Sequence, residues 1–236
     1  MRSDASIFRQ LLAAEPEWLG QLQRGVEKES LRVTQGDATL AQTAHPRGLG
    51  SALTHSSITT DYSEALLEFI TPVSSSINAT EEALRVLHSF TAQQLDGEQL
   101  WSASMPCIVH GDAGIPIAEF GSSNVGRMKR VYRNGLSVRY GRRMQAIAGI
   151  HYNFSLPEAF WAAALDATDS PLTTQAFQTE GYLALIRNFF SRVWLLLYLL
   201  GASPAVCASF IQGNKRHHLK PMGDDHHSFY LPHATS

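Results

Sequence analysis

The stretch "RGVEKESLRV", residues 24–33, places two glutamates one residue apart in a segment with the composition of a β-strand. Its apolar residues, among them Val26 and Leu31, favour that conformation. Successive side chains of a strand point to opposite faces, so Glu27 and Glu29 share one face. Two like charges on one face raise each other's pKa unless a cation lies between them. The stretch therefore predicts a strand that presents a pair of carboxylates.

Two interpretations of this pair are open. A solvent-facing surface is the simpler one, because exposed carboxylates cost little free energy. The segment 50–73 favours the other, since it places Asp61, Glu64 and Glu68 among apolar residues, where acids need partners. If residues 65–71 form a strand, Glu68 faces away from its apolar neighbours; if they are helical, the three acids lie near one face. Both conformations offer carboxylates to Mg²⁺, which prefers oxygen ligands and works with phosphates.

A further candidate lies in "GIHYNF", where His151 and Asn153 alternate along a segment of strand composition. The alternation puts an imidazole and an amide on the same face. A histidine of this kind is more often a hydrogen-bonded core residue than a ligand. Taken alone, it therefore does not decide between packing and metal binding.

The remaining periodicity predicts an α+β chain without internal repeats or low-complexity tracts. A helix that begins at a Thr80 cap is expected to cover the sheet. The other predicted elements are two short helices within 6–23 that Pro16 divides, a turn and short strand after Val33, a helix within 122–145, a strand within 146–156 and a long helix within 173–201. This pattern favours a single domain.

Composition and charge exclude several classes of protein. The 19 basic and 21 acidic residues leave a formal charge of -2, which favours neither nucleic acid nor an acidic membrane surface as partner. Cys107 and Cys207 are too far apart for a CxxC motif, which indicates a reducing cytoplasm. The uncharged segment 193–211 is divided by Gly201 and Pro204, so we expect a buried helix end there and no membrane span. The N-terminus lacks the pattern of a secretory signal.

Two other segments are rich in charge or histidine. Residues 127–143 contain seven basic side chains and no acidic one, but these do not keep to one helical face. We expect them to be solvated or paired with the acidic sheet, without nucleic-acid binding. Residues 216–229 contain two histidine pairs around Pro, Gly and Asp, which predicts an exposed loop with adventitious affinity for Zn²⁺ or Ni²⁺.

Together with "SMPC", "GSSNVGRMKRVYRNGL", "GIHYNFSLP" and "GASPAVCASF", the two acidic segments resemble the proteobacterial glutamate–cysteine ligases, or γ-glutamylcysteine synthetases. These blocks run in the family's order through nearly the whole chain, and the block at 50–73 is too long to arise by chance. The resemblance implies an α+β fold similar to that of glutamine synthetase. Such a fold has a curved antiparallel sheet with flanking helices, a funnel and Mg²⁺ ions near the funnel's floor.

The resemblance also implies roles for individual residues. The positions that match the family's metal ligands are Glu27, Glu29, Asp61, Glu68 and His151. Those that match its cysteine pocket are Tyr132, Leu136 and Gln145. No role carries over to Glu64, and no residue is assigned as catalytic.

The implied reaction is the first step of glutathione biosynthesis. ATP phosphorylates the γ-carboxylate of glutamate, and the amine of cysteine attacks the resulting γ-glutamyl phosphate to give γ-glutamylcysteine, ADP and phosphate. The implied metal is Mg²⁺, with Mn²⁺ as an alternative, and ATP is a co-substrate. The expected partners are these small molecules in the cytoplasm, with neither nucleic acid nor membrane.

We expect residues 1–236 to be the N-terminal portion of a single ligase catalytic domain, truncated at its C-terminus. An Arg, a Tyr and a Glu that the family uses would follow Ser236. Alternatives are therefore an inactive fragment, or a non-catalytic subunit that associates through surfaces exposed by truncation. Another alternative is a related ATP-dependent carboxylate–amine ligase with a different acceptor.

Overall fold

The structure, a computed structural model, describes residues 4–106, 108–168, 170–201, 204–213, 218–224 and 226–232. Its helices are α1 Asp4–Ala14, α2 Glu17–Gly20, α3 Ile77–Ala92, α4 Asn124–Tyr140, α5 Glu158–Thr168, α6 Thr174–Phe190, α7 Val193–Leu200 and α8 Ala208–Ile211. Its strands are β1 Gln23–Thr34, β2 Ile58–Thr60, β3 Leu66–Ile70, β4 Glu98–Leu100, β5 Ile150–Ser155, β6 Ala205–Cys207, β7 Lys220–Pro221 and β8 Ser228–Tyr230. The predicted α+β fold with an antiparallel sheet and flanking helices is confirmed.

Strand β1, which contains the opening stretch, is the centre of a five-stranded antiparallel sheet. One edge of β1 pairs with β3, which in turn pairs with β2. The other edge pairs with β5 at Gln23–Lys28 and with β4 at Arg32–Thr34. The strand predicted after Val33 is reduced to an isolated bridge between Val33 and Leu40. The opening stretch thus forms the element on which the sheet is built.

One face of the sheet is covered by α3, as the sequence predicts. Ile58, Leu67 and Phe69 are fully buried and pack against Leu84 and Leu87 of the helix. Burial of each such side chain contributes about 1.5–3 kcal/mol. The helix begins four residues earlier than the prediction. Its N-cap is Ser76, whose side chain accepts a hydrogen bond from the N–H of Ala79, and the predicted Thr80 cap is wrong.

The opposite face carries a second core cluster, against which helix α4 packs through Leu136. Ser123 caps this helix by accepting a hydrogen bond from the N–H of Gly126. A Cβ at Gly126 would lie 2.4 Å from the carbonyl oxygen of Phe120, so only glycine permits this close approach. Gly141, at φ 79°, ends the helix. The predicted helix with internal glycines is therefore confirmed, and Gly126 and Gly141 have local reasons.

A separate aromatic cluster joins the N-terminal helices to α5 and α6. Phe160 and Trp161 of α5 are buried, and the ring of Phe8 packs against both of them. The side chain of Trp18 in α2 adds an edge contact with Phe160. Pro16 lies between α1 and α2, which confirms that it divides two short helices.

The long helix predicted within 173–201 is divided into α6 and α7, which are bent by 58° at the break. The predicted burial of its end is wrong for the described chain, because Tyr198 is 79% exposed and Leu200 is 80% exposed. Within the described residues, no single helix is long and apolar enough to cross a membrane. The bent pair passes that test only when the two helices are taken together.

The segment after Gly201 forms a small sheet in the order β6, β8, β7. Of the histidine-rich segment 216–229, the residues 216–217 and 225 lie outside the described chain. The described part is mostly exposed but forms a hairpin through β7 and β8, so a loop is only part of its structure. Cys207 is a free thiol, and Cys107 lies outside the described residues.

Candidate active site

Strand register gathers the predicted acidic residues on one face of the sheet. Glu27 of β1 lies opposite His151 of β5, and Glu29 lies opposite Glu68 of β3. Directly opposed residues of antiparallel strands share a face. Residues Leu66–Ile70 form a strand, so of the two conformations considered for 65–71 the strand is confirmed and the helix is wrong. Asp61 follows the end of β2 at the border of the same face.

Glu27 is held by two side chains of β5. The amide Nδ2 of Asn153 donates to Oε1 of Glu27 at 2.8 Å, and Nδ1 of His151 lies 3.2 Å from Oε2. Donor atoms of Glu27, Glu68 and His151 all lie within 4.8 Å of one another. Among the described residues, this is the one group of three or more that could hold a metal ion.

Glu29 lies beside this group and is half-buried. Its Oε2 accepts a hydrogen bond of 2.7 Å from the N–H of Gly149, next to the strand that carries His151. Burial raises the pKa of Glu29, and the hydrogen bond from Gly149 opposes this rise. The charges of Asp61 and Glu27 raise the same pKa further. The carboxylates therefore interact electrostatically across the whole face.

Glu68 shows the same effect. Burial is the largest cause that raises the pKa of its carboxyl group, followed by the charges of Asp61, Glu29 and Glu27. A group of acids that hinder one another's ionisation attracts a multivalent cation, because the cation removes the mutual repulsion.

The donor chemistry suits a hard divalent ion. Carboxylate oxygens predominate, they converge on one face, and their charge is not neutralised within the group. The structure therefore brings together Glu27, Glu68 and His151, with Glu29 and Asp61 adjacent to them. Metal ligation by these five residues stays a prediction.

The residues predicted for the cysteine pocket lie on and after α4. Tyr132 and Leu136 are one helical turn apart. Tyr132 is 65% exposed, while Leu136 packs against the core cluster beneath the helix. Gln145 lies in a short 3₁₀ helix, Arg143–Ala146, that follows α4. Cysteine binding by these residues also stays a prediction.

Glu64, to which no role was assigned, is turned away from the acidic face. Its carboxylate accepts hydrogen bonds from the backbone N–H of His45, at 2.8 Å, and of Glu119, at 2.7 Å. The side chain is buried and joins two loops to the turn between β2 and β3. Its contacts are those of a structural residue, which explains why it does not join the acidic group.

Three of the seven basic residues at 127–143 contact an acidic residue or its backbone. Arg130 forms an ion pair with Glu119. Arg133 donates from Nε to the carbonyl oxygen of Asp61 at 2.6 Å, and the charges of Asp61 and Glu68 act on it. Arg143 pairs with Asp112 at 2.9 Å. Arg133 is the member of this set that faces the acidic group.

Sequence reasoning missed two contributors to this site. The backbone N–H of Gly149 and the guanidinium of Arg133 both contact acidic residues or their backbone. A glycine before a strand and an arginine in a basic helix gave no local signal, because both contacts depend on distant parts of the chain.

A groove of about 330 Å³ extends from Glu27 along the sheet. Its walls include Ile70, Val73 and Asn153, and Gly25 contributes no side chain. The groove thus combines apolar walls with a carboxylate at one end.

The glutamate-cysteine ligase family model matches residues 9–236, so the chain belongs to this family. It is 56% identical over 220 residues to a glutamate–cysteine ligase of Alcanivorax borkumensis, covering 92% of this chain and 41% of that relative. It is 52% identical over 226 residues to one from Pseudomonas entomophila, covering 96% and 42%. The chain therefore spans about two fifths of the length of the curated relatives it matches.

Two solved structures share the fold. A glutamate–cysteine ligase from Francisella tularensis in complex with AMP superposes with a TM-score of 0.82 at 41% identity, covering 92% of this chain and 41% of that one. A bifunctional glutathione synthetase from Pasteurella multocida gives a TM-score of 0.77 at 31% identity, covering 91% and 27%.

Proposed function

We propose that the gene product carrying this sequence ligates the γ-carboxylate of L-glutamate to the amine of L-cysteine at the expense of ATP. The observation that carries the proposal is the convergence of carboxylates and a histidine on one sheet face of a chain from the glutamate–cysteine ligase family. The proposed ligands for Mg²⁺, or for Mn²⁺ in its place, are Glu27, Glu29, Asp61, Glu68 and His151.

Phosphoryl transfer requires positioning and charge neutralisation more than covalent chemistry by the protein. A bound divalent ion supplies that neutralisation at the phosphate oxygens. The residues of the chain orient the site. Asn153 and His151 fix both oxygens of Glu27, and the N–H of Gly149 fixes one oxygen of Glu29. Such preorganisation avoids rearrangement during the reaction.

We assign the two ends of this face to different substrates. The groove beside Glu27 is the proposed place for the nucleotide, because it adjoins the acidic group and has apolar walls. AMP binding by the Francisella tularensis relative supports the use of a nucleotide. Tyr132, Leu136 and Gln145 are the proposed residues of the cysteine pocket at the other end.

The test is γ-glutamylcysteine formation by the gene product. Product and phosphate should form in equal amounts and should require ATP, Mg²⁺, glutamate and cysteine together. Competition between cysteine and other primary amines separates this activity from that of a related carboxylate–amine ligase. Absence of product, with no ATP or glutamate binding in calorimetry and normal folding, would support the non-catalytic alternative.

Residues 1–236 are proposed to form the N-terminal portion of one catalytic domain in the cytoplasm.

The apolar surface of α7, including Trp194 and Tyr198, is proposed to bind the part of a family member that this chain does not match. Sedimentation of the chain with and without that part of the Alcanivorax borkumensis relative should show a one-to-one complex. Changing Trp194 and Tyr198 to serine should weaken the complex at least about tenfold, and an unchanged complex would contradict this assignment.

A further inference from the structure

Arg133 connects helix α4 with the acidic face through its guanidinium group. Its Nε donates to the backbone carbonyl of Asp61 at 2.6 Å, and its Nη1 donates to the carbonyl oxygen of Lys129 at 3.2 Å. The guanidinium carbon lies 4.6 Å from the centre of the Phe120 ring. The group is therefore held by the helix, by the loop before it and by the loop that carries Asp61.

These three contacts use properties that arginine has and lysine lacks. A guanidinium is planar, stacks on aromatic faces and has donors in fixed directions. Phe120 is buried, so the ring against which the guanidinium packs is itself fixed. Contact with a backbone carbonyl, and not with a carboxylate, leaves the charge of Asp61 available for other partners.

The position of Arg133 on its helix gives the contact a consequence for function. Leu136 lies three residues further on, so both side chains point to the same side of α4. Tyr132 precedes Arg133 directly. A shift of the helix relative to Asp61 would therefore move the proposed cysteine pocket relative to the proposed metal site. Misplacement of a substrate by about 1 Å is enough to reduce a rate strongly.

We propose that Arg133 is a positioning residue that sets the distance between the acceptor pocket on α4 and the acidic face. This inference rests on the proposed function for the identity of the acceptor. In this role Arg133 acts through the helix and the Asp61 loop.

The variant Arg133→Lys tests the proposal, since it keeps the positive charge near Asp61 and Glu68 but loses the stacking and the fixed donor. We expect the KM for cysteine to rise about tenfold, as for loss of one charge-assisted hydrogen bond. The KM for ATP and the Mg²⁺ concentration for half-activation should change less than about twofold. A purely structural role would lower the Tm without separating the two substrates.

Arg127→Lys is the matched control, because Arg127 is exposed on the same helix. It should leave all three constants unchanged. Equal increases in the KM for cysteine and ATP, or no increase in either, would overturn the positioning role.

Binding measurements distinguish failure of the proposed function from failure of the positioning role of Arg133. If the parent protein makes no γ-glutamylcysteine, titration calorimetry with cysteine still decides the role of Arg133. In that case Arg133→Lys must weaken cysteine binding about tenfold relative to the parent and to Arg127→Lys. A parent protein that binds no cysteine would overturn both proposals.

Discussion

The sheet built on β1 and the helix pair α6–α7 contain similar apolar residues in different environments. Leu66 and Leu67 of β3 are completely buried, whereas Tyr198 and Leu200 of α7 are about four-fifths exposed. The sheet has α3 on one face and a core cluster beneath α4 on the other. Within the described residues from 178 onward, no side chain is buried. Hydrophobic sequence alone therefore does not determine burial, which requires a covering element.

The candidate site lies on the sheet built on β1. The candidate ligands Glu29 and Glu68 project from β1 and β3, and the opposite face of β3 packs against α3. His151 lies on β5, which is exposed on both faces. Positions on strands of a packed sheet are fixed more accurately than positions on loops. The sheet thus carries the candidate site, whereas α6 and α7 present an apolar surface.

The largest effect is expected at the site. Glu27→Gln removes a charge that is proposed to bind the metal and should lower kcat by about 10²- to 10³-fold, because a neutral amide binds Mg²⁺ poorly. The Tm should stay within about 2 °C of the parent, since the substitution preserves size. Steady-state kinetics and thermal unfolding measure both quantities. Glu81→Gln, a substitution at an exposed position of α3, is the control and should leave kcat unchanged. Near-normal turnover of Glu27→Gln at ordinary Mg²⁺ concentrations would show that the metal assignment is wrong.

The contrast in burial predicts a difference in stability between two leucines. Leu67→Ala should lower the free energy of unfolding by about 2–5 kcal/mol, because it leaves a cavity between the sheet and α3. Leu200→Ala should change it by less than about 0.5 kcal/mol, because the side chain is exposed. Urea unfolding measures both. A loss above about 1 kcal/mol for Leu200→Ala would mean that α7 is covered in solution.

A smaller effect concerns pH. The pKa of Glu68 is raised in the folded protein, so the folded state binds its proton more tightly than the unfolded state. The stabilisation from this proton is complete below the unfolded pKa and is lost as the pH rises through the folded pKa. Without divalent ions, Glu68→Gln should therefore raise stability near pH 7.5 by no more than about 1 kcal/mol, given solvent screening. The gain should vanish towards pH 4.

Thermal unfolding of Glu68→Gln and its parent across this pH range gives the difference directly. His45 and His88, whose pKa values are lowered by burial, also make stability depend on pH. Their contributions cancel when the two proteins are compared. Glu82→Gln is the control of opposite sign, because its hydrogen bond to Arg85 lowers the pKa of Glu82. Added Mg²⁺ should stabilise the parent more than Glu68→Gln, and equal stabilisation would count against Glu68 as a ligand.

The sequence predicted much of the local structure of the sheet and of the helix that covers it. The strand around Glu27, the helix over the sheet and the strand around His151 follow from alternation and helical spacing. The start of α3 was predicted at Thr80 because acidic residues follow that threonine. The helix instead begins after Ser76, whose side chain caps it. The strand expected after Val33 pairs too briefly to be more than a bridge.

The roles of Glu64 and Glu68 could not be separated by spacing. Four residues apart, they would share a face in a helix, but Glu64 lies before β3 and Glu68 within it. The turn directs Glu64 to the backbone N–H groups of two distant loops. Only the path of these loops shows that Glu64 is structural and that Glu68 faces the candidate metal site.

The sequence by itself determined the family, the strand that presents Glu27 and Glu29 on one face, and the candidate ligands, because alternation and extended motifs are local properties of the chain. The tertiary structure decided that His151, 124 residues from Glu27, lies beside it, that Arg133 reaches Asp61, and that α7 is exposed. These facts depend on strand register and on the packing of elements distant in sequence, which local patterns do not encode.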